Sequence, residues 1–403
     1  MDKIIIVGAG QAGMQCAESL RAEKFEGSIT IIGDEAYAPY QRPPLSKAFL
    51  KGDISEERLA FRKPDFFETK NITLLTERRV IALDPRQKTV TLSDGASLAY
   101  DKLVLATGSR VRPLPNVDAS MKGLHYVRDM EDAKGLKAAI ATAHNIVVIG
   151  AGFIGLEVAA VAVIQNKNVT VVERDDRVMG RVVAPVMSDF YQNYHESQGV
   201  KFLMGAGIEG ISQDKQGAIT GIMHQGQHIP ADMLVVGIGI LPNVELGETA
   251  GLDVENGIVV NEQACTSDPD IFAIGECCSH PNELYGMVRL ESVQHAVDQA
   301  KVAAKAIMGQ DVAYQAVPWC WSDQYGLKLQ MAGLSAGYDH FVVRGERTEN
   351  KFSVLYYRDN KLIAIDSVNW TADHLAAKKL LAAGVTPNPL AVLDTDQKLK
   401  SFL

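Results

Sequence analysis

The sequence predicts an α/β fold with two Rossmann-like dinucleotide-binding domains, one inserted into the other, and a small C-terminal α+β domain. The main observation is a repeated fingerprint, G-x-G-x-x-G, at residues 8–13 and again at residues 150–155. Each copy follows a β-branched run and precedes a segment rich in Ala, Leu and Val, as in dinucleotide-binding strand–turn–helix units. After Pro318 the pattern changes, and hairpin-like strands replace the alternation of strand and helix.

Each glycine of the fingerprint has its own physical task. In the first copy, Gly8 permits a tight turn, Gly10 lets the backbone approach a pyrophosphate, and Gly13 lets the helix pack on the strand. The corresponding residues of the second copy are Gly150, Gly152 and Gly155. The pyrophosphate is expected at the positively polarised N-terminal end of each helix. A single copy could be a purely structural turn, whereas two copies in the same context predict a flavin and a nicotinamide.

A carboxylate follows the second strand of each unit. Residues 28–32 and 168–172 read as apolar strands, and Asp34 and Glu173 come after them, about 20 residues beyond the fingerprint. Such an acid accepts a hydrogen bond from the adenosine ribose 2′-hydroxyl. Because a carboxylate repels a 2′-phosphate, Glu173 favours NADH over NADPH. Three nearby arginines favour NADPH instead, since they could accommodate its 2′-phosphate. They are Arg174, Arg177 and Arg181.

The predicted domains follow from this layout. The flavin domain is expected to comprise residues 1–113 and 242–318, the inserted nicotinamide domain residues 114–241, and the third domain residues 319–403. Within them the sequence predicts individual elements. These are strands over Lys3–Val7, Lys102–Thr107, Asn145–Ile149, Met233–Gly237, Lys351–Tyr357 and Lys361–Val368, a hairpin near Leu92–Gly95, and a helix over Val293–Met308. A last helix is expected to open after an N-cap at Thr371 and to stop at Gly384.

Composition excludes several classes of function. The net charge of −9 argues against a nucleic-acid partner and against a basic membrane-surface helix. No apolar run has the length of a membrane span, and the first predicted strand begins at Lys3 with no room for a signal peptide, so we expect a cytoplasmic protein. Five cysteines without C-x-x-C or metal-ligand spacing predict neither a disulfide framework nor a metal site.

Five strings extend the pattern beyond the glycine motifs. They lie at Arg42–Lys47, Gly155–Glu157, Gly237–Gly239, Glu291–Val293 and Pro318–Gln324. With these strings the whole chain resembles the FAD-dependent reductases that supply electrons to the iron-sulfur ferredoxins of bacterial oxygenases. The resemblance implies hydride transfer from NADH to FAD, followed by one-electron transfers to a [2Fe-2S] ferredoxin or a rubredoxin-like carrier. It also implies that the third domain covers the flavin and meets the partner.

The resemblance also implies a set of binding residues. For FAD they are Gly8, Gly10, Ala12, Gly13, Asp34, Arg42, Lys47, Val80, Arg128, Glu276, Val293 and Trp321. For NADH they are Gly150, Gly152, Ile154, Gly155, Glu157, Glu173, Arg181 and Gly237. Position 276 departs from the family pattern, because Glu276 stands where aspartate is usual. The longer side chain requires the ribityl chain or the strand end to shift.

Lys47, Glu157 and Trp321 are the candidate catalytic residues. Glu157 falls on the first turn of the helix after the second fingerprint, and the resemblance pairs it with Lys47 near flavin N5, where hydride arrives. A lysine there would stabilise the negative charge of the reduced flavin. The structural alternative is that Lys47 caps a helix and Glu157 is solvated. For Trp319 and Trp321, two residues apart on one strand face, core packing competes with shielding of the flavin, and Trp321 is the better candidate for the flavin.

The sequence leaves alternatives open for the partner surface and for the function. An acidic ferredoxin would require a basic patch, for which Lys301, Lys305, Lys378 and Lys379 are candidates, although such lysines are usually just solvated. An NADH-sensing flavoprotein of the apoptosis-inducing-factor kind shares the three-domain layout. An NADH oxidase would need a redox cysteine near the flavin, a role that Cys16 leaves open. The sequence does not distinguish a monomer from a homodimer.

Overall fold

The computed structural model describes all residues, Met1–Leu403. The chain forms two compact units. The first comprises Met1–Gln41, Leu59–Arg110 and Leu241–Pro318, and the second comprises Arg42–Arg58, Val111–Ile240 and Trp319–Leu403. The segment Arg42–Arg58 therefore belongs to the second unit, although it lies between two parts of the first in sequence. The predicted three-domain boundaries stay a prediction.

The first unit is built on a parallel five-stranded sheet. Its strands lie in the order Ile271–Ala273, Lys102–Leu105, Lys3–Val7, Ser28–Ile32 and Ile72–Leu75. Four of the five residues of Lys3–Val7 are buried, because a parallel sheet covered on both faces hides both sides of each strand. Continuous β-branched runs are the sequence signature of such strands, and the predicted bounds Lys3–Val7 and Ser28–Ile32 are confirmed.

Helices Gln11–Ala22 and Val293–Ile307 pack against each other beside this sheet. Small side chains allow the close approach: buried alanines line Val293–Ile307, and Ala12 and Ala17 are buried on its partner. The remaining elements of the unit are helices Asp65–Thr69 and Glu245–Thr249, the antiparallel sheet Val80–Asp84, Thr89–Leu92 and Ser97–Ala99, and the sheet Ile258–Val259, Cys278–Asn282 and Gly286–Val288. The predicted hairpin near Leu92–Gly95 is confirmed.

The second unit contains a parallel sheet of the same kind. Its strands lie in the order Lys201–Leu203, Asn168–Val172, Asn145–Ile149, Met233–Val236 and Leu124–His125. The helices are Ala48–Lys51, Met130–Thr142, Phe153–Ile164 and Pro185–Ser197, and a small antiparallel sheet comprises Gly210–Gln213, Ile219–His224 and Gln227–Pro230. Short strands Ser109–Val111 and Ile240–Pro242 pair with each other.

Residues 319–403 form an antiparallel sheet with one helix on it. The strand order is Trp319–Gln324, Leu327–Gly333, Lys361–Val368, Lys351–Arg358 and His340–Glu346, and the helix is Thr371–Ala382. The predicted N-cap at Thr371 is wrong, because Thr371 is the first helical residue and its hydroxyl donates to Gln330 Oε1 at 2.9 Å. The predicted glycine stop is confirmed, since Gly384 has φ +64° just beyond the helix.

A buried arginine fixes the end of the chain to this sheet. Arg344 is 1% exposed and its Nε donates to Asp373 Oδ2 at 2.9 Å. Its other nitrogens donate to the backbone carbonyls of Val392, Asp394 and Gln397. At this depth the guanidinium donors of Arg344 are shielded from solvent. The carbonyls of the C-terminal segment therefore supply the hydrogen-bond acceptors that a buried charge requires. Together with the two parallel sheets, this domain confirms the predicted fold class.

Candidate functional site

In the first unit, two of the three fingerprint glycines are required by the protein itself. Gly8 has φ +120°, and a Cβ there would lie 2.1 Å from the carbonyl oxygen of Ala106. A Cβ on Gly13 would lie 2.0 Å from the carbonyl oxygen of Gly8. By contrast, a Cβ on Gly10 would meet nothing within 4 Å. Packing therefore does not explain Gly10, whereas an approaching pyrophosphate does.

The second fingerprint repeats this geometry in the second unit. Gly150 has φ +102° and its Cβ would lie 2.5 Å from the carbonyl oxygen of Gly237, and a Cβ on Gly155 would lie 2.1 Å from that of Gly150. Gly152 again faces open space. Neither following helix has a side-chain N-cap, so the first backbone N–H groups of both remain available to an anion. Both loops fit the phosphates of a dinucleotide.

Glu173 follows the strand Asn168–Val172 and lies against the second fingerprint loop. Its Oε2 accepts from the backbone N–H of Ala151 at 2.7 Å, and its Oε1 accepts from that of Asp175 at 3.0 Å. The carboxylate is thus fixed beside the loop with lone pairs remaining for a ribose hydroxyl. Arg177 is engaged elsewhere, because it donates to Val183 O, Ser188 Oγ and Gly180 O. Arg174 and Arg181 are exposed.

The other candidate residues of the first unit lie at the ends of its elements. Asp34 is exposed just past the strand Ser28–Ile32, and Val80 is buried at the start of its strand. Glu276 lies in a 3₁₀ turn after Ile271–Ala273, at the strand end that the sequence predicts, and its Oε2 accepts from Ser109 Oγ at 2.6 Å. Val293 is the first residue of the helix Val293–Ile307, and Ala12 lies in the first turn of the helix Gln11–Ala22.

Further candidates lie in the second unit. Arg42 and Arg128 are brought together, since Arg42 Nη1 donates to the carbonyl of Arg128 at 2.9 Å. Ile154 is exposed on the first turn of the helix Phe153–Ile164, and Gly237 lies against the fingerprint loop at the end of its strand. The binding roles of these residues stay predictions.

Lys47 and Glu157 form a buried ion pair. Lys47 Nζ lies 2.9 Å from Glu157 Oε2, and the side chains are 17% and 2% exposed. Glu157 is therefore not the solvated helix residue of the structural alternative. Lys47 does stand between two short helices, as the C-cap of Pro43–Ser46 and the N-cap of Ala48–Lys51, but its side chain makes no N-capping hydrogen bond. Besides the ion pair, Lys47 Nζ donates to the carbonyl of Pro43 at 3.4 Å. A buried charge pair of this kind requires further donors, because the carboxylate has lost its water.

Two serines supply those donors, and the sequence analysis missed both. Ser46 Oγ donates to Glu157 Oε2 at 2.6 Å, and Ser322 Oγ donates to Oε1 at 2.6 Å. Both hydroxyls are buried. A signal for Ser322 exists in the sequence, since Ser322 and Gln324 alternate on one face of a predicted strand where apolar residues would be expected. For Ser46 there is no comparable signal, because it stands in a turn.

Trp319 and Trp321 share a strand face, as their spacing predicts. Their ring centroids are 5.7 Å apart, and Trp319 also contacts the His374 ring and has Lys378 Nζ 4.4 Å from its centroid. Trp319 therefore has packing partners within residues 319–403. Trp319 and Trp321 are both only partly buried, so each leaves ring surface for another group.

All five cysteines are free thiols. Burial raises the pKa of Cys16 to about 12 and also raises the pKa of Cys277 and Cys278. Since the thiolate is the reactive form, these buried residues are unsuited to peroxide or disulfide chemistry.

No helix of the structure is both long enough and apolar enough to cross a membrane.

Two glycine loops, each at the end of a parallel sheet, define a dinucleotide-dependent oxidoreductase, and comparison with known proteins identifies the family. Residues 2–300 match the model of the pyridine nucleotide-disulphide oxidoreductases, and residues 319–403 match that of the reductase C-terminal domain. The chain belongs to the pyridine nucleotide-disulphide oxidoreductase family and carries this C-terminal domain. It is an oxidoreductase that uses a flavin and a pyridine nucleotide.

Individual relatives match along nearly the whole chain. Rhodocoxin reductase from Rhodococcus erythropolis is 46% identical over 398 residues, which are 98% of this chain and 93% of the relative. Putidaredoxin reductase from Pseudomonas putida is 41% identical and covers 100% of this chain and 97% of its own length. A crystal structure of the covalent putidaredoxin reductase–putidaredoxin complex superposes with a TM-score of 0.97 at 40% identity, covering 100% of this chain and 98% of that one. The resemblance inferred from the sequence is confirmed.

Two buried histidines, His280 and His295, form a stacked pair in the first unit. His280 and His295 stack at 4.8 Å, and His295 Nδ1 lies 2.9 Å from the hydroxyl of Tyr314. Both nitrogens of His280 and Nε2 of His295 lack a hydrogen-bond partner within the protein. Burial lowers the pKa of His280 to about 4 and that of His295 to about 3.

We predict that this pair makes the protein less stable in acid. Both pKa values lie below the unfolded value near 6.5, so from about pH 6.5 down to about pH 4 the unfolded chain binds more protons and the free energy of unfolding falls. Replacing His280 with Phe removes one such group, and the pH slope should decrease by up to ~1.4 kcal/mol per pH unit. Urea unfolding at several pH values measures the slope. His144→Phe, at an exposed site, is the control, and an unchanged slope in His280→Phe contradicts the account.

Proposed function

We propose that the protein is an NADH-dependent, FAD-containing ferredoxin reductase of an oxygenase system. The observation that carries the proposal is the ion pair between Lys47 and the buried Glu157, which lies on the helix that follows the nicotinamide fingerprint. The relatives named as reductases of putidaredoxin and rhodocoxin support it. The chemistry that FAD would supply when bound is the exchange between a two-electron donor, NADH, and a one-electron acceptor. The acceptor is a [2Fe-2S] ferredoxin or a rubredoxin-like carrier.

The residues of the chain bind and orient the two cofactors. In this proposal the open fingerprint position Gly10 admits the FAD pyrophosphate, and Glu276 holds a ribityl hydroxyl. Gly152 admits the NADH pyrophosphate, and Glu173 holds the adenosine ribose. The remaining contacts are those named from the sequence, with Arg42, Arg128, Val80, Val293 and Trp321 toward FAD and Ile154, Arg181 and Gly237 toward NADH.

Lys47 and Glu157 place an ion pair where hydride transfer makes the flavin more negative. An ammonium group in a site of low water content stabilises developing negative charge more strongly than in water. Glu157 keeps the ammonium in place through the 2.9 Å contact, and the two serines keep the carboxylate in place. The exposed part of the Trp321 ring excludes water from the region around Lys47 and Glu157.

The two competing functions are less well supported. A thiol-dependent NADH oxidase needs a reactive cysteine, and burial raises the pKa of Cys16 to about 12. An NADH-sensing flavoprotein of the apoptosis-inducing-factor kind would not require a one-electron partner, whereas the relatives of this chain are named for theirs. Multiple turnovers with a ferredoxin distinguish the reductase from the sensor.

We predict that Glu173→Gln shifts cofactor preference toward NADPH. The neutral amide no longer repels a 2′-phosphate, and the exposed Arg174 and Arg181 remain to attract it. The ratio of kcat/KM for NADPH to that for NADH should rise by about tenfold. Asp176→Asn, which makes the same charge change at a neighbouring exposed position, is the control. Steady-state kinetics with ferricyanide measures both ratios, and an unchanged ratio in Glu173→Gln overturns the NADH assignment.

We predict that ferredoxin reduction depends on Lys301. This side chain is half exposed, so it can be presented to an acidic partner, for which it would have to exchange its 3.3 Å contact with Asp298. Lys301→Glu should slow reduction of a [2Fe-2S] ferredoxin by about tenfold at low salt, and added salt should slow the parent protein as well. NADH-dependent ferricyanide reduction should not change. Lys215→Glu, on an exposed turn of the second unit, is the matched control.

This experiment also tests the function itself. Reduction of ferricyanide without any reduction of ferredoxins would contradict the assignment as a ferredoxin reductase. Equal salt dependence for both acceptors would contradict electrostatic docking.

A further inference from the structure

A line of buried polar side chains leads from the helix Pro185–Ser197 to Glu157. Tyr325 Oη lies 3.1 Å from His195 Nδ1, and His195 Nε2 lies 2.8 Å from Gln324 Oε1. Gln324 Nε2 lies 3.1 Å from Ser322 Oγ, which in turn lies 2.6 Å from Glu157 Oε1. All five residues belong to the second unit.

The carboxylate fixes the direction of every bond in the line. Glu157 in its ion pair only accepts, so the Ser322 hydroxyl must donate to it. Ser322 Oγ then accepts from the amide nitrogen of Gln324, and Gln324 Oε1 is left to accept from His195. His195 must therefore carry its proton on Nε2, and Nδ1 accepts from the hydroxyl of Tyr325. Each group donates toward Glu157, and reversing a bond within the line leaves two acceptors or two donors facing each other.

This line is more than packing requires. His195, Ser322 and Gln324 are each at most 1% exposed. Apolar side chains of similar size would join the helix to the strand at lower desolvation cost, since a buried polar group is tolerated only when all its bonds are made. In a site of low dielectric constant, aligned hydrogen bonds polarise one another and strengthen the last bond of the series. That last bond is the one to Glu157.

The neutral form of His195 is the one that the line needs. Burial lowers the pKa of His195 to about 4, against which the hydrogen bond to Gln324 acts weakly. The ring is therefore neutral at physiological pH, with one nitrogen donating and the other accepting. The Phe202 and Tyr325 rings contact its faces and edges and restrict its orientation.

We propose that His195 is a positioning residue, which acts through Gln324 and Ser322 to fix the Glu157 carboxylate against Lys47. The proposal rests on the function proposed above, in which this pair serves hydride transfer. His195 touches neither cofactor in this role. It acts on Glu157 through two intermediate side chains, Gln324 and Ser322. Residues that orient catalytic groups act indirectly in the same way at other sites.

Nuclear magnetic resonance of the holoprotein labelled with ¹⁵N-histidine tests the line without using activity. The His195 signal is identified by its loss in His195→Gln. The expected result is the Nε2–H tautomer, with a resonance that shifts in Ser322→Ala and in Glu157→Gln although neither residue touches the ring. The Nδ1–H tautomer, or a resonance that ignores both substitutions, overturns the proposal.

Kinetics tests the consequence for Glu157. Anaerobic stopped-flow mixing with NADH measures the limiting rate of flavin reduction, which in His195→Leu should fall about tenfold while the Kd for NADH changes less than about threefold. His195→Gln retains an N–H that can reach Gln324 Oε1, and its rate should stay within about threefold of the parent. Tyr191→Phe, in the same helix and also buried, is the matched control and should leave the rate unchanged.

The possible outcomes separate this proposal from the proposed function. Equal losses in His195→Leu and His195→Gln, parallel to their thermal stabilities, mean a structural role and overturn it, as does a parent-like rate in His195→Leu. If His195→Leu does not fold, Ser322→Ala takes its place with the same expected loss. Since flavin reduction needs no ferredoxin, failure to reduce a ferredoxin counts against the proposed function alone.

Discussion

The ion pair between Lys47 and Glu157 is the interaction on which the site of the second unit depends. A carboxylate at 2% exposure has lost its hydration, and the loss is compensated only because three segments far apart in sequence meet there. The turn Pro43–Ser46 and the residue after it supply Ser46 and Lys47, the helix after the second fingerprint supplies Glu157, and the first strand of the C-terminal sheet supplies Ser322. The segment Arg42–Arg58, which carries Ser46 and Lys47, accordingly lies in the same unit as Glu157 and Ser322.

The two fingerprints show a different kind of constraint. In each, the first and third glycines are fixed by the backbone of the protein, because a Cβ would lie 2.5 Å or less from a carbonyl oxygen. The middle glycines face open space and have no such reason to be glycine. A loop that keeps three glycines while its own packing needs two is accounted for by a ligand that approaches the backbone, and the uncapped helix ends beside it suit a phosphate.

Much of the fold could be predicted from the sequence, because parallel strands in covered sheets are continuous β-branched runs. The bounds of Asn145–Ile149 and Asn168–Val172 are those expected from composition alone. What could not be predicted depends on tertiary contacts. Ser46 stands in a turn and has no local pattern that marks it as a donor to Glu157. The alternation of Ser322 and Gln324 indicates a polar strand face but not its partner, and His195 lies 129 residues from Gln324. Thr371 likewise forms its bond with Gln330 of a neighbouring strand, so local capping rules fail there.

The central claim is that Lys47 and Glu157 act as one unit in the delivery of hydride to the flavin. A double-mutant cycle with Lys47→Met and Glu157→Gln, read as the anaerobic rate of flavin bleaching by NADH, tests it most directly. Each single change should slow bleaching by about a hundredfold, and the double change should be no slower than the slower single variant, since residues that act as a unit are strongly non-additive. Losses that multiply, or bleaching at the parental rate in either single variant, would contradict the account.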